Sequence, residues 1–317
     1  MKVFIAVFFS LLSVRTYAST DSSYLETNIS LATKSGNLFG TVTTPGFGNK
    51  FPIVLIIAGS GPTDRDGNNP IMKNNSLKFL AYGLAKQGIA SLRYDKRGIG
   101  ESKTAAKSEA DLRFDDFVND AIDWVGFLKQ EKNYSSVWVA GHSEGSLIGM
   151  MAAAKADGFI SIAGVGQSAD NVLKDQLRVQ PQSVQDVTFS IIDSLKLEMP
   201  VKKVSPFLHS LFRPSVQPYL ISWFKKDPQT EIKKLRIPIL IVQGTNDIQV
   251  AVGEANLLAA ANANAKLVLV EDMNHILKNA KGNRQENIST YSNPSLPISG
   301  KLVQSISDFI KQQLPKH

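Results

Sequence analysis

The chain contains no cysteine. That one absence excludes disulfides, thiol nucleophiles and thiolate metal sites. Histidine is scarce too: four in 317 residues, at His142, His209, His275 and His317. No two of them have H-x-x-x-H spacing, so the helical zinc-protease site is not written here. The phosphate loop G-x-x-x-x-G-K-[ST] is also missing. Lys plus Arg exceeds Asp plus Glu by 35 to 28. Yet no long basic run occurs and the aromatics do not interleave with basic residues, so no nucleic-acid partner is expected. With 43% hydrophobic and 20% charged residues, the composition is that of a globular protein, not a disordered, collagen-like or multi-span membrane chain. The longest apolar run, Val3 to Val14, is too short for a stable membrane span. It follows Lys2 and precedes Thr16-Tyr17-Ala18, a small-x-small site. This pattern predicts a signal peptide over 1–18, cleaved near Ala18, and a secreted or periplasmic protein. Such a protein holds together without disulfides, by packing alone.

What the sequence does have is alternation. Ile29–Thr33 and Leu38–Thr43, separated by Ser35-Gly36-Asn37, predict an opening hairpin. Pro52–Ala58 is a continuous apolar run, the pattern of a strand buried on both faces. Ile89–Tyr94, Val137–Ala140, Phe159–Ala163, Ile239–Val242 and Leu267–Val270 read the same way. Between them fall helical patterns over Ser76–Lys86, Phe114–Glu131, Ser143–Ala156 and Gly253–Ala261, with a last one near Ser299–Gln313. This repetition predicts an α/β fold: a mostly parallel sheet with helices on both faces. One stretch breaks the rhythm. Residues 166–235 hold no buried strand, only helical patterns over Asp170–Val179, Val184–Leu195 and Val216–Phe224, punctuated by prolines. They predict a helical cap insert between two halves of one core, 19–165 and 236–317. Ligands of open α/β sheets bind at the edge such a cap would cover. The insert's Phe207, Leu208, Leu211, Phe212, Tyr219, Trp223 and Phe224 either line an apolar pocket or form the insert's own core.

The sharpest signal is Gly141-His142-Ser143-Glu144-Gly145, a G-x-S-x-G between a predicted strand and a predicted helix. An abrupt strand-to-helix turn holds its Ser in a strained conformation, and side chains at Gly141 and Gly145 would collide with neighbouring backbone. Ser143 is thus the candidate nucleophile, and a serine hydroxyl needs a base. His142 adjoins it but is expected to point away across the elbow, and His209 lies in the insert. His275, in the loop after the strand Leu267–Val270, reaches the same sheet edge as Ser143. A base needs an acid to hold its tautomer. Asp247, after the strand Ile239–Val242, is preferred to Asp272, three residues from His275. The chain order Ser143, Asp247, His275 fits a strand–turn–helix nucleophile. An oxyanion hole needs two backbone N–H donors: Glu144, after the nucleophile, and Ser60 in the Gly59–Gly67 loop.

With these residues in hand, the chain resembles the α/β-hydrolase superfamily, and more closely its bacterial esterase-like members with a G-S-G-P-T-D-R-D-G loop. The resemblance spans roughly 30–315. It rests on Gly59–Gly67, the Tyr94-to-Ser102 loop YDKRGIGES, the elbow, Gly244–Asp247 and Asn274-His275. It implies a Ser143–Asp247–His275 triad, oxyanion donors Ser60 and Glu144, and acyl hydrolysis with no metal or organic cofactor. Where many members carry His before the oxyanion Gly, this chain has Ala58. The Asp95–Ser102 loop is read as structural, with Gly98 and Gly100 permitting a tight turn. Asp64, Arg65 and Asp66 either bind substrate or lock their loop by pairing. The expected partner is a small-molecule ester or acyl substrate of short to medium chain. A serine aminopeptidase or amidase, a thioesterase and a catalytically silent binding protein are the alternatives. An aminopeptidase needs a carboxylate to hold the free amino terminus. No sequence feature bears on oligomeric state.

Overall fold

The computed structural model describes residues 16–17 and 23–314. The predicted signal peptide lies outside them, except for Thr16–Tyr17, which form a two-residue strand β1 against β2 (Tyr24–Thr33). β2 and β3 (Gly36–Pro45) make the predicted hairpin, longer than expected at both ends. Then follow β4 (Phe51–Ile57), α1 (Ser76–Lys86), β5 (Ala90–Tyr94), α2 (Phe114–Gln130), β6 (Tyr134–His142), α3 (Glu144–Ala152) and β7 (Gly158–Ile162). The segment before the next strand carries α4 (Ala169–Leu177), α5 (Gln182–Lys196), α6 (His209–Phe212), α7 (Gln217–Phe224) and α8 (Pro228–Lys234). β8 (Ile239–Gly244), α9 (Val252–Ala261), β9 (Ala265–Val270), α10 (Arg284–Ser289) and α11 (Gly300–Gln313) complete the chain.

The sheet runs β1-β2-β3-β5-β4-β6-β7-β8-β9, antiparallel up to the β3–β5 pair and parallel from there on. Strand residues alternate between two packed layers, as the period of two demands. Leu55, Ile57, Leu92 and Val139 face Phe117 and Trp124 of α2 and Ile148 of α3. Val54, Ile56, Trp138, Ile160 and Val242 face Leu80 and Leu84 of α1 and Leu302, Ile306 and Ile310 of α11. Both faces are covered, which is why these strands read as unbroken apolar runs.

From β4 the chain crosses to β5 on one side and then returns to β6 on the other. That reversal opens a crevice beyond the carboxyl ends of β4 and β6. The Gly59–Gly67 loop leaves β4 there, and Ser143 leaves β6.

The helical segment after β7 has a core of its own. Ile191, Ile192, Leu195, Leu208, Phe212, Leu220 and Phe224 pack together. Phe207 is 77% exposed, so most of the insert's large apolar residues serve its own packing or face solvent. Tyr219 and Trp223 instead pack on Phe114 and Phe117 of α2, tying the insert to the core. The sequence pattern carries the insert to 235. The structure rejoins the core one helix earlier, because Ile232 and Leu235 of the α8 region pack into the layer with α3 and α9.

Candidate active site

Ser143 sits at φ 55° and ψ −122°, a conformation that non-glycine residues adopt only when their surroundings impose it. Here the surroundings are backbone. A Cβ on Gly141 would run into the Gly145 carbonyl oxygen, and one on Gly145 into the Ile57 carbonyl. Both elbow glycines are therefore required by contact, as the sequence motif implied. Ser143 N donates to the Ile162 carbonyl at 3.0 Å, fastening the elbow to the end of β7.

Asp247 and His275 meet. His275 Nδ1 lies 2.8 Å from Asp247 Oδ2, with both side chains buried. Two loops achieve this. Gly244, at the end of β8, lies so close to the Met273 carbonyl that no Cβ would fit. Asn246 N donates to that same carbonyl at 3.1 Å. Burial by itself would raise the Asp247 carboxyl. His275 and the backbone N–H groups of Val250 and Gln249, which donate to Oδ1 at 2.9 and 2.8 Å, outweigh it and hold the group below the usual carboxylate range. Asp272, the competing acid, turns elsewhere: its carboxylate lies 3.8 Å from Lys281.

Ser143 and His275 line one cavity of about 240 Å³ with Gly59, Ser60, Gln249 and Tyr291. Gly59 presses on the elbow: a Cβ there would lie 3.1 Å from the Ser143 Cβ. The N–H groups of Ser60 and Glu144, at the two flanks of Ser143, have no protein hydrogen-bond partner among the described residues. The structure thus brings every predicted site residue to one sheet edge.

Three expectations need correction or completion. His142 does not point away. Its ring packs on that of His275, centroids 4.8 Å apart, and its Nε2–H donates to the His275 carbonyl at 2.8 Å. Burial, reinforced by the neighbouring imidazole, pushes its pKa down to about 3, so His142 is a neutral donor. The Asp64–Asp66 triplet locks its loop by pairing. Arg65 bridges Asp95 (2.7 Å) and Glu101, and Asp66 accepts from Arg93 Nε at 2.8 Å. Asp64 Oδ1 accepts from the backbone of Asp66 and Asn68, both at 2.9 Å. The loop after β5 is more than a tight turn. Gly98 and Gly100 do adopt positive φ, 82° and 50°. But Lys96 and Glu144, each 3% exposed, form an ion pair at 3.1 Å directly behind the site. The signal for Lys96 was a lysine two residues past the end of a buried strand.

A buried asparagine, Asn287, also escaped the sequence reading. Asn287 Nδ2 donates to the Asn246 carbonyl at 2.7 Å, and Asn287 Oδ1 accepts from Asn274 Nδ2 at 3.1 Å. One side chain thus holds the residue before the acid and the residue before the base.

The chain can now be set beside known proteins. A family model described as serine aminopeptidase, S33, matches residues 74–228. Esterase EstD of Thermotoga maritima is 32% identical over 254 residues, covering 77% of this chain and 58% of that one. The chain thus spans less than two thirds of this curated relative. Among solved structures, Est1E from Butyrivibrio proteoclasticus with bound ferulic acid superposes with a TM-score of 0.61 at 17% identity, covering 91% of this chain and 100% of its own. The α/β hydrolase GrgF from Penicillium sp. sh18 gives 0.59 at 18%, covering 91% and 98%. The esterase Pf2001 of Pyrococcus furiosus gives 0.59 at 15%, covering 93% and 94%. Sheet order and these likenesses together give the chain an α/β-hydrolase fold.

Proposed function

We propose that this chain is a serine hydrolase that cleaves carboxylic esters of short to medium acyl chain through an acyl-enzyme. The observation that carries the reading is that His275, paired with Asp247, lines the same cavity as the strained Ser143. Ser143 Oγ attacks the ester carbonyl carbon while His275 Nε2 takes its proton. The ionised Asp247 steadies the imidazolium through Nδ1. The oxyanion accepts hydrogen bonds from Ser60 N–H and Glu144 N–H, which have nothing else to bond. His275 then protonates the departing alcohol. Next it takes a proton from water, whose oxygen attacks the acyl carbon and frees Ser143.

Substrate size follows from space. The cavity at Ser143, about 240 Å³, is smaller than the sites that enclose drug-sized ligands. Beyond the oxyanion loop lies a largely apolar cleft of about 350 Å³, walled by Pro62, Ile99, Leu112, Phe117, Val216 and Tyr219. Val216 and Tyr219 of the insert wall this cleft, which shares no lining residue with the cavity at Ser143. The esterase names of EstD, Est1E and Pf2001 agree with this reading. The site favours an esterase over the serine aminopeptidase of the matching family model. The cavity at Ser143 is lined by amides, hydroxyls, the imidazoles of His142 and His275 and apolar groups, with no carboxylate among the described residues to receive the free ammonium that an aminopeptidase binds.

The test is Ser143→Ala. It should lower kcat on p-nitrophenyl butyrate by roughly 10⁴- to 10⁶-fold and abolish fluorophosphonate labelling, with the fold intact. Hydrolysis retained by the variant, or a wild type that fluorophosphonate does not label, overturns the assignment. The second result would leave a silent binding protein on the same fold.

A further inference from the structure

We propose that Lys96 is a positioning residue for the oxyanion hole, acting through the Gly59–Ser60 peptide; this rests on the hydrolase reading above. Lys96 Nζ donates to the Gly59 carbonyl oxygen at 2.6 Å. That carbonyl and the Ser60 N–H belong to one peptide unit. No cis peptide occurs among the described residues. In a trans peptide the C=O and N–H point in opposite directions. Fixing one fixes the other. Lys96 lies behind the loop, lining the cleft with Gly61, Pro62 and Glu144. Gly59 and Ser60 line the opposite cavity, with Ser143 and His275. A carbonyl held toward Lys96 therefore turns the Ser60 N–H toward the place where negative charge develops.

The loop needs this restraint. Ser60, Gly61 and Pro62 are exposed, and Gly61 has φ 73° with nothing near the place of a Cβ. Gly59 packs on the elbow, but the Ser60 end of the peptide faces solvent. An ammonium on the carbonyl also polarises the peptide, so the N–H at its other end becomes a stronger donor.

The same lysine ties in the second donor. Its Nζ lies 3.1 Å from Glu144 Oε1, the carboxylate of the residue whose backbone N–H completes the hole. Both side chains are 3% exposed, so neither charge is there for solubility. Burial and the Glu144 carboxylate facing it push the pKa of the Tyr219 hydroxyl on α7 up, so the insert approaches the same carboxylate. One buried chain, Glu144–Lys96–Gly59, thus links the residue after the nucleophile to the oxyanion loop. Lys96 touches no reacting atom. It orients the group that does.

The experiment compares wild type with Lys96→Met and with Lys96→Met/Glu144→Gln; the double variant removes both buried charges and guards against misfolding of the single one. Thermal unfolding verifies that each is folded. For each protein kcat and KM are measured on p-nitrophenyl butyrate, with Ki for a trifluoromethyl ketone, which forms a tetrahedral adduct, and Ki for butyrate, which does not. The expected result is a fall in kcat of roughly 10- to 100-fold, below the loss for deleting an oxyanion donor outright. KM and the butyrate Ki should stay within about threefold, and the ketone should weaken in step with kcat/KM, as an interaction made only in the transition state requires. A merely structural lysine would lower the active fraction and leave the ketone Ki unchanged. Folded variants with wild-type kcat and ketone Ki overturn the role of Lys96 alone. An inert wild type that no fluorophosphonate labels overturns the hydrolase reading, and this inference with it.

Discussion

At the scale of single residues, the most consequential departure from expectation is His142. As the x of G-x-S-x-G it had no assigned role, yet it holds the backbone carbonyl of His275 and stacks on the candidate base. Because burial drives its pKa to about 3, its protonation is linked to folding. The folded form binds its proton far more weakly than the unfolded chain, whose histidine titrates near about 6.5. Its contribution is therefore fully present above about pH 6.5 and is lost as pH falls toward 3, at about 1.4 kcal/mol per pH unit within that window. His142→Gln keeps an N–H donor but cannot titrate. Urea unfolding of both proteins from pH 7.5 to 4.5 should show the wild type losing stability relative to the variant below about pH 6.5. Parallel pH profiles would mean that His142 titrates alike in both states. Asp247 falls outside this window, since its depressed pKa matters only below about pH 3.8.

At the scale of elements, glycine shows how position decides the sign of a substitution. Gly126 lies within α2 with nothing near the place of a Cβ. Gly126→Ala should raise stability by about 1 kcal/mol, or roughly 2 °C in Tm, through helix propensity and a less flexible unfolded chain. At Gly145 a Cβ meets the carbonyl oxygens of Ile57, the last residue of β4, and of Ala58 after it, and backbone cannot swing aside as a side chain can. Gly145→Ala should cost about 3 kcal/mol or more, seen as a large drop in Tm or loss of soluble protein. The comparison of melting temperatures checks both signs. The same physics explains which elements were legible. β4, β7 and β8 are buried on both faces, so they read as apolar runs. α1 was read to its exact ends because its buried stripe, Leu77, Leu80, Ala81 and Leu84, follows the helical period. α8 and α10 were missed: they are seven and six residues long, too short for a periodic stripe. Ser143, Asp247 and His275 were legible because each follows a readable strand. Lys96 and Asn287 were not, because lysine and asparagine ordinarily mark surface and only the distant chain that buries them gives them a task.

At the scale of the whole molecule, the candidate site is assembled from crossovers that share no secondary structure. The acid follows β8 and the base follows β9. The segment 274–299 then folds back over both, with Lys278 N donating to Asn274 Oδ1 at 3.0 Å and Ser299 N to the Leu277 carbonyl at 2.7 Å. Asn287 is the central connection of that return: fully buried, it donates to the residue before Asp247 and accepts from the residue before His275. An aliphatic substitute of similar volume would leave the Asn246 carbonyl and the Asn274 amide each short of a partner, although Asn274 would keep Thr290 at 2.7 Å. Each such loss in the interior costs about 1–3 kcal/mol. Asn287→Leu should therefore lower Tm by several degrees. It should also lower kcat about tenfold or more, because an acid and base displaced by a fraction of an ångström no longer align with Ser143. Asn287→Asp retains the acceptor for Asn274 but not the donor for Asn246, so it should fall between wild type and Asn287→Leu in both measures. A Leu variant that melts early yet turns over at the wild-type rate at low temperature would separate the two effects. It would show that the β8 and β9 loops hold Asp247 on His275 without Asn287, through the Gly244–Met273 contact and the Asn246 N–H bond to the Met273 carbonyl.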